Sequence, residues 1–205
     1  MYSSLPTFVI GFHGCDKEVQ QNILLDKESL SPSQNDYDWL GSGIYFWENN
    51  PTRALEYAKE IKRKKVAHSA PIEIPAVIGA IIDLGNCFNL FDSRYIEILN
   101  AGYELFMKTV EAAGRTPPEN RLRDKGGHPL MRKLDCAVIE TIHAHRKSEK
   151  EIPFDSVRAV FTEGEELYKT SGFNTKTHIH LCIRNPNCIK GYFHPRKLDP
   201  SFPNP

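Results

Sequence analysis

Three short stretches of this chain carry the side chains best suited to chemistry. They are a His-Gly pair at residues 13–14, a Glu-x-Glu pair formed by Glu163 and Glu165, and a His-x-His pair formed by His178 and His180. A neutral histidine donates one hydrogen bond and accepts another, which is what recognition of a hydroxyl group requires. A carboxylate stabilises positive charge that develops in a transition state. These residues therefore favour hydroxyl recognition and charge stabilisation.

Two other kinds of chemistry are alternatives for the same residues. His178 and His180 would share one face of a strand and could bind a metal ion, but the sequence shows no third ligand. Cys15 lies close to His13 and could be a nucleophile, but no orienting acid is near it in sequence. The five cysteines form no Cys-x-x-Cys pair and follow no export signal. We expect no metal, reduced thiols and a cytoplasmic location.

A fourth stretch, Gly-Ser-Gly-Ile-Tyr-Phe-Trp at residues 41–47, places two glycines before an aromatic run. Glycine at such a position can mark a bulge or a place where a ligand approaches the backbone. A simple hairpin turn that enters a buried strand is the alternative. The stretch by itself leaves both interpretations open.

The hydrophobic periodicity predicts an α+β fold with a mostly antiparallel sheet. Helices are expected to begin at Asp16 and Asn50 and to cover 93–113 and 130–148. Strands are expected at 7–14, 43–47, 77–84, 156–161, 177–184 and 188–193. We predict one domain over 1–205, in which a helical insertion at 92–147 lies across one side of the sheet.

The composition is that of an ordinary globular protein. Hydrophobic residues make up 40% and charged residues 25% of the 205 residues, and 26 Lys or Arg balance 26 Asp or Glu. A net charge of zero argues against a strongly basic platform for nucleic acid, although a local patch remains compatible with it. No apolar run reaches the roughly 20 residues of a membrane span. We therefore expect no membrane association.

Taken in order, these motifs resemble the ADP-ribosyltransferase superfamily, in the branch that includes the poly(ADP-ribose) polymerases and diphtheria-like toxins. His13-Gly14 matches the His-Gly pair that ends the first strand of that family. Gly41, Gly43 and Ile44-Tyr45-Phe46 match its Gly-x-Gly-Ile-Tyr-Phe strand, and Tyr57 matches the tyrosine of the helix that follows. The resemblance covers both ends of the chain and leaves 92–147 unmatched.

The resemblance implies split antiparallel sheets around a cleft that binds NAD as a substrate. Tyr45 and Tyr57 would stack on the two faces of the nicotinamide ring, and the backbone of Gly14 would bind its carboxamide. His13 would hydrogen-bond a hydroxyl of the adenosine ribose, although it could also be a buried histidine at a strand end. Gly41 and Gly43 would keep side chains away from the mouth of the cleft.

The sequence departs from the family at the third catalytic position. Active members place a glutamate early in the strand after the long loop, where this chain has no carboxylate and His180, or else His178, takes the position. Three alternatives stay open: a neutral His180 that binds the ribose hydroxyl, a loop carboxylate from Glu163 or Glu165, and the metal pair. We favour His180 as the third catalytic residue, beside His13 and Tyr45.

The expected function is an NAD-dependent mono-ADP-ribosyltransferase, in the manner of an intracellular toxin or defence effector with a neutralising antitoxin or immunity protein. The alternative is a catalytically inactive module of the same fold that binds NAD or ADP-ribose. The loop at 163–174 would choose the acceptor, with Glu163, Glu165, Tyr168 and Phe173 as its contact residues. Basic segments at 59–68 and 121–133 could lie along a phosphate backbone, so the acceptor, protein or nucleic acid, stays open.

Overall fold

The chain folds as a mixture of helices and strands, as the periodicity predicts. A computed structural model describes residues 8–64 and 71–203. The elements in chain order are β1 (Val9–Asp16), α1 (Lys17–Leu24), β2 (Ile44–Glu48), α2 (Pro51–Lys64), β3 (Pro75–Ile82), β4 (Cys87–Asn89), α3 (Ser93–Ala112), β5 (Asn120–Arg123), β6 (Pro129–Arg132), α4 (Lys133–Ser148), β7 (Ser156–Phe161), β8 (His178–Ile183) and β9 (Ile189–Phe193). Across the described ranges, none of the helices has the length and apolar character needed to cross a membrane.

One seven-stranded sheet, in the order β4-β7-β8-β2-β1-β3-β9, organises the structure. Every neighbouring pair is antiparallel except β4 and β7, which run parallel. The strands form one continuous sheet where the resemblance implies two separate sheets, but its centre is weakly joined. The central strands β1 and β2 pair at Gly11–Glu48 and Phe12–Trp47 only, whereas β1 pairs with β3 along its whole length. The sheet is thus divided at the β1–β2 junction into two halves that touch at one end.

The two faces of the sheet have different covers because successive side chains of a strand point to opposite sides. On one face, α1 packs through Ile23 onto Phe46, Ile78, Leu181 and their neighbours. On the other face, α2 packs through Ala54 onto Phe12 and Trp47, while α4 packs beside it onto β7 and β8. We call these the α1 face and the α2 face.

Local signals account for two of the helix starts. The Asp16 side chain accepts a hydrogen bond of 2.8 Å from the Glu18 backbone N–H, as an N-cap residue does. Pro51 opens α2, where a proline costs nothing because the first helical N–H has no partner in any case. Asp16 was expected as the cap, and it acts as one.

The segment at 92–147 contains more than the predicted helices. The strands β5 and β6 form a two-stranded hairpin within it, and α4 begins at Lys133 rather than near residue 130. The Asn120 side chain, which belongs to β5, accepts hydrogen bonds from the backbone N–H groups of Leu134 and Asp135 at 3.0 and 3.3 Å. The helix is therefore capped by a residue of the hairpin, and a local sequence pattern does not show such a cap.

Gly14 is the residue through which β1 and α2 approach most closely. A Cβ atom at this position would lie 2.1 Å from the Ala54 backbone oxygen, and neither backbone can give way. We expect Gly14→Ala to lower the free energy of unfolding by about 1–3 kcal/mol in urea titrations, as overpacking does. Gly172→Ala is the matched control, since a Cβ there meets nothing within 4 Å. Equal stability of the two variants would contradict this packing.

Candidate functional site

His13 lies where β1 and β2 separate, beyond their last shared pair. Its Nδ1 is 2.8 Å from the backbone oxygen of Tyr45. A carbonyl oxygen only accepts, so Nδ1 carries the hydrogen and the Nε2 atom of the neutral ring is left as an acceptor. Burial lowers the pKa of His13, which keeps the ring neutral. No side chain or backbone group in the described part of the chain hydrogen-bonds Nε2, so this atom is available to a ligand hydroxyl.

The Gly-Ser-Gly turn before β2 is clamped from several sides. The Tyr45 hydroxyl donates to the Gly41 oxygen at 2.7 Å and accepts from the Leu40 N–H at 3.1 Å. The Glu140 carboxylate of α4 accepts from the Ser42 N–H at 2.6 Å, and Arg184 pairs with that carboxylate at 2.7 Å. The pairing with Arg184 and the Ser42 hydrogen bond outweigh partial burial and lower the pKa of Glu140. The inserted segment thereby fixes the turn that orients Tyr45.

The two glycines of this turn face protein rather than an open cleft. Gly41 has a φ of +81°, and a Cβ there would lie 2.5 Å from the Glu140 carboxylate. A Cβ at Gly43 would lie 2.5 Å from the Cys182 sulfur and 2.8 Å from the Ile183 oxygen. Close packing against α4 and β8 therefore explains both glycines, in place of the expected open mouth.

The Tyr57 ring packs against Trp47 rather than facing Tyr45. The Trp47 ring centroid is 5.0 Å from that of Tyr57 and 4.9 Å from that of His180. The indole is only 4% exposed, whereas Tyr57 is 38% exposed at the surface of α2. Tyr45 in turn meets His180 at 5.7 Å, edge to face. The aromatic set on the α2 face thus has a third ring that the sequence analysis did not assign, although it lies in the quoted motif.

His178 and His180 share the α2 face, as their spacing predicts, and their ring centroids are 4.5 Å apart. His178 Nδ1 lies 2.6 Å from the Lys176 backbone oxygen, so it carries the hydrogen and Nε2 accepts. His180 Nδ1 accepts from the Trp39 indole N–H at 3.2 Å, so its Nε2 carries the hydrogen. Burial lowers the pKa of His178 to about 4. Burial also lowers the pKa of His180 well below its usual range. The two neutral rings therefore hold opposite tautomers.

These two histidines belong to a buried polar cluster. The Nε2 atoms of His178 and His180, the Trp47 indole nitrogen, and Nε and Nη1 of Arg53 are all buried without a hydrogen-bond partner. Each such group costs about 1–3 kcal/mol when it is left unsatisfied. One acceptor and several donors lie together here, which is the complement of a hydroxyl group. The cluster is therefore the part of the α2 face best prepared for a polar ligand.

Arg53 and Glu163 place a buried ion pair beside this cluster. Arg53 Nη2 lies 2.8 Å from a Glu163 oxygen, and Lys176 Nζ lies 3.9 Å from the other one and 2.7 Å from Glu60. The Glu163 side chain is 14% exposed, whereas that of Glu165 is 62% exposed and, among the described residues, forms an ion pair only with Lys125, at 4.0 Å. Of the Glu-x-Glu pair, Glu163 alone therefore lies against the candidate site.

The loop after Glu163 folds back on itself as a narrow ribbon, with an isolated β-bridge between Glu166 and Asn174. Its backbone hydrogen bonds join Lys176 to Glu163, Thr175 to Glu165 and Leu167 to Phe173 at 2.9–3.0 Å. Tyr168 and Phe173 lie at its outer end and are 60% and 68% exposed. The structure thus brings His180, Tyr45, Tyr57 and Glu163 together on the α2 face, and leaves Tyr168 and Phe173 at the surface beyond them.

A cavity lies behind Trp39, away from the histidine pair. It has a volume of about 320 Å³ and is bounded by α3, α4 and the Trp39-Leu40 segment. None of the residues expected in the site lines it. In the ranges 8–64 and 71–203, no group of three His, Cys, Asp or Glu residues is arranged to bind a metal ion.

Comparison with known proteins adds one relative. An uncharacterized protein of Methanocaldococcus jannaschii is 27% identical over 199 aligned residues, which cover 87% of this chain and 83% of that protein. No family model matches the chain. No solved structure matches it at a significant level. The interpretation of the site therefore rests on its geometry.

The low pKa of His178 makes stability depend on pH. The unfolded ring titrates near pH 6.5 and the folded ring near 4, so the unfolded chain alone binds the proton between these values. Stability should fall as the pH is lowered from about 6.5 to 4, by roughly 1.4 kcal/mol per pH unit for this histidine. His178→Phe should flatten that fall in urea titrations at pH 7, 6 and 5. An unchanged slope would show that His178 titrates alike in both states.

Proposed function

We propose that this protein is an NAD-dependent mono-ADP-ribosyltransferase. The observation that carries the proposal is the position of His13. Its Nδ1 is fixed by the Tyr45 backbone oxygen, and its Nε2 is left as an acceptor at the β1–β2 separation. At this separation the two side chains lie on opposite faces of the sheet. By strand alternation, His13 is on the α1 face and Tyr45 is on the α2 face. A dinucleotide that spans the separation would contact both.

In this proposal, the adenosine ribose of NAD donates a hydroxyl hydrogen to His13 Nε2. The nicotinamide half lies on the α2 face, where the exposed ring of Tyr57, backed by Trp47, supplies a flat surface for stacking. Gly14 stands next to His13, and its lack of a side chain lets α2 come close to that end of the site. His180 Nε2 donates to a hydroxyl of the nicotinamide ribose, and His178 Nε2 accepts from one.

The reaction breaks the bond between C1 of the ribose and the ring nitrogen of nicotinamide. The bonding electron pair leaves with nicotinamide, which becomes neutral. An acceptor nucleophile forms the new bond to C1 and gives up its proton to solvent. Positive charge develops on the ribose during this step. The neutral His180 binds a hydroxyl group but supplies no negative charge to stabilise the positive charge on the ribose. Glu163 is the carboxylate nearest to the histidine pair, and its ion pair with Arg53 weakens its field.

Nicotinamide release from NAD by the purified protein tests the proposal. We expect release that His13→Ala lowers strongly, because the acceptor at Nε2 is lost. Tyr57→Leu should lose one stacking surface, worth about 1–3 kcal/mol or roughly 5- to 150-fold in kcat/KM for NAD. Tyr103→Leu is the matched control, since Tyr103 is a similarly exposed tyrosine on α3. Release by wild type that His13→Ala and Tyr57→Leu leave unchanged would refute the assignment of the site.

A second candidate function is binding of NAD or ADP-ribose without catalysis. Two observations favour it: β8 carries no carboxylate, and the buried Trp47 ring fills the space between Tyr57 and His180. This candidate predicts thermal stabilisation by NAD or ADP-ribose with no nicotinamide released. A release that depends on His13 would exclude it.

A further inference from the structure

Two surface ribbons meet beside the candidate site. One is the β5–β6 hairpin at residues 120–132, and the other is the ribbon at 163–176. The Asp124 carboxylate accepts from the Gly164 N–H at 2.6 Å, and a Cβ at Gly126 would lie 1.9 Å from the Gly164 oxygen. The two backbones are therefore in direct contact. We call the outer side of this pair the ribbon surface.

The ribbon surface combines positive charge with exposed rings. The two ribbons together have six Lys or Arg residues against four Asp or Glu, and the hairpin has four of the basic residues against one Asp. Its Arg121 and Lys125 side chains are 75% and 84% exposed, and their carboxylate contacts, to Glu119 and Glu165, lie at the surface. The neighbouring ribbon presents Tyr168 and Phe173, both more than half exposed. Both rings lie at the outer end of one ribbon, and exposed apolar residues that are grouped in this way can mark an interaction site.

We propose that the ribbon surface binds single-stranded nucleic acid. Unpaired bases stack on exposed aromatic rings, and a cationic groove follows the phosphates, which is the combination that nonspecific single-strand binding requires. An acidic protein would meet the same cations but has no need of two exposed rings. A duplex keeps its bases stacked inside and would not use them. Backbone hydrogen bonds join the two sides of the ribbon that carries both rings.

The position of this surface gives the strand a role in the reaction. The ribbon begins at Glu163, which pairs with Arg53 next to the histidine cluster. A strand bound along the ribbons would therefore have a nucleotide near His178 and His180. That nucleotide would be the acceptor of ADP-ribose, and this last step rests on the proposed function. The binding itself does not depend on it.

Fluorescence anisotropy with labelled 12-nucleotide oligo(dT) and oligo(U), without NAD and at 50 mM salt, measures the binding. We expect the affinity to fall with salt with a log–log slope of about −2, as for three phosphate contacts. Tyr168→Ala and Phe173→Ala should each weaken binding by roughly 5- to 150-fold. Arg121→Gln and Lys125→Gln should each reduce the slope by about 0.7.

Matched controls are Phe202→Ala and Lys27→Gln, which remove an exposed ring and an exposed cation outside the two ribbons. The proposal is overturned if the oligonucleotides do not bind at 50 mM salt, or if ribbon variants bind as the controls do. It is also overturned if a duplex binds as tightly as single strands without dependence on Tyr168. Equal competition by polyglutamate would assign the surface to an acidic protein instead.

Nicotinamide release with and without saturating oligonucleotide separates this inference from the proposed function. Binding with the expected variant pattern, but no release under any condition, would refute the transferase and leave the binding surface standing. Nicotinamide release by a protein that binds no oligonucleotide would support the transferase and refute the binding surface. Transfer of labelled ADP-ribose to the oligonucleotide, lost in Tyr168→Ala, would support both.

Discussion

The separation of β1 from β2 is the constraint on which the candidate site depends. Past Phe12, the backbone hydrogen bonds between the two strands end, and the His13 side chain takes their place by bonding to the Tyr45 oxygen. This one side-chain hydrogen bond fixes the tautomer and the orientation of His13, and it joins the two strands where their backbone pairing has ended.

On the α2 face, desolvation sets the chemistry. Two neutral histidines with opposite tautomers lie on β8. Five buried polar atoms of this cluster have no hydrogen-bond partner, although one of them, Arg53 Nη1, lies 3.7 and 3.8 Å from the carboxylates of Glu56 and Glu60. Such a cluster is costly without a ligand and gains hydrogen bonds with one. It offers recognition of hydroxyl groups rather than a negative charge.

The inserted segment 92–147 is tied to the site in two ways. Glu140 of α4 clamps the Gly-Ser-Gly turn together with Arg184, and the β5–β6 hairpin packs on the ribbon that begins at Glu163. The first contact explains why that turn needs glycine, and the second builds an outer surface next to the histidines. The basic residues of the hairpin lie on this outer surface. The other basic segment, 59–68, lies partly outside the described residues.

Periodicity and local capping determined much of the fold by themselves: the α+β class, the cap at Asp16, the helix that opens at Pro51 and the shared face of His178 and His180 all follow from residues close in sequence. Only the tertiary structure decided the rest, because the deciding partners lie far apart in the chain. Asn120 caps α4, Trp47 rather than Tyr45 contacts Tyr57, and Glu163 rather than Glu165 meets Arg53. In each case, residues close together in the sequence have similar local preferences, and long-range packing determines which of them makes the contact.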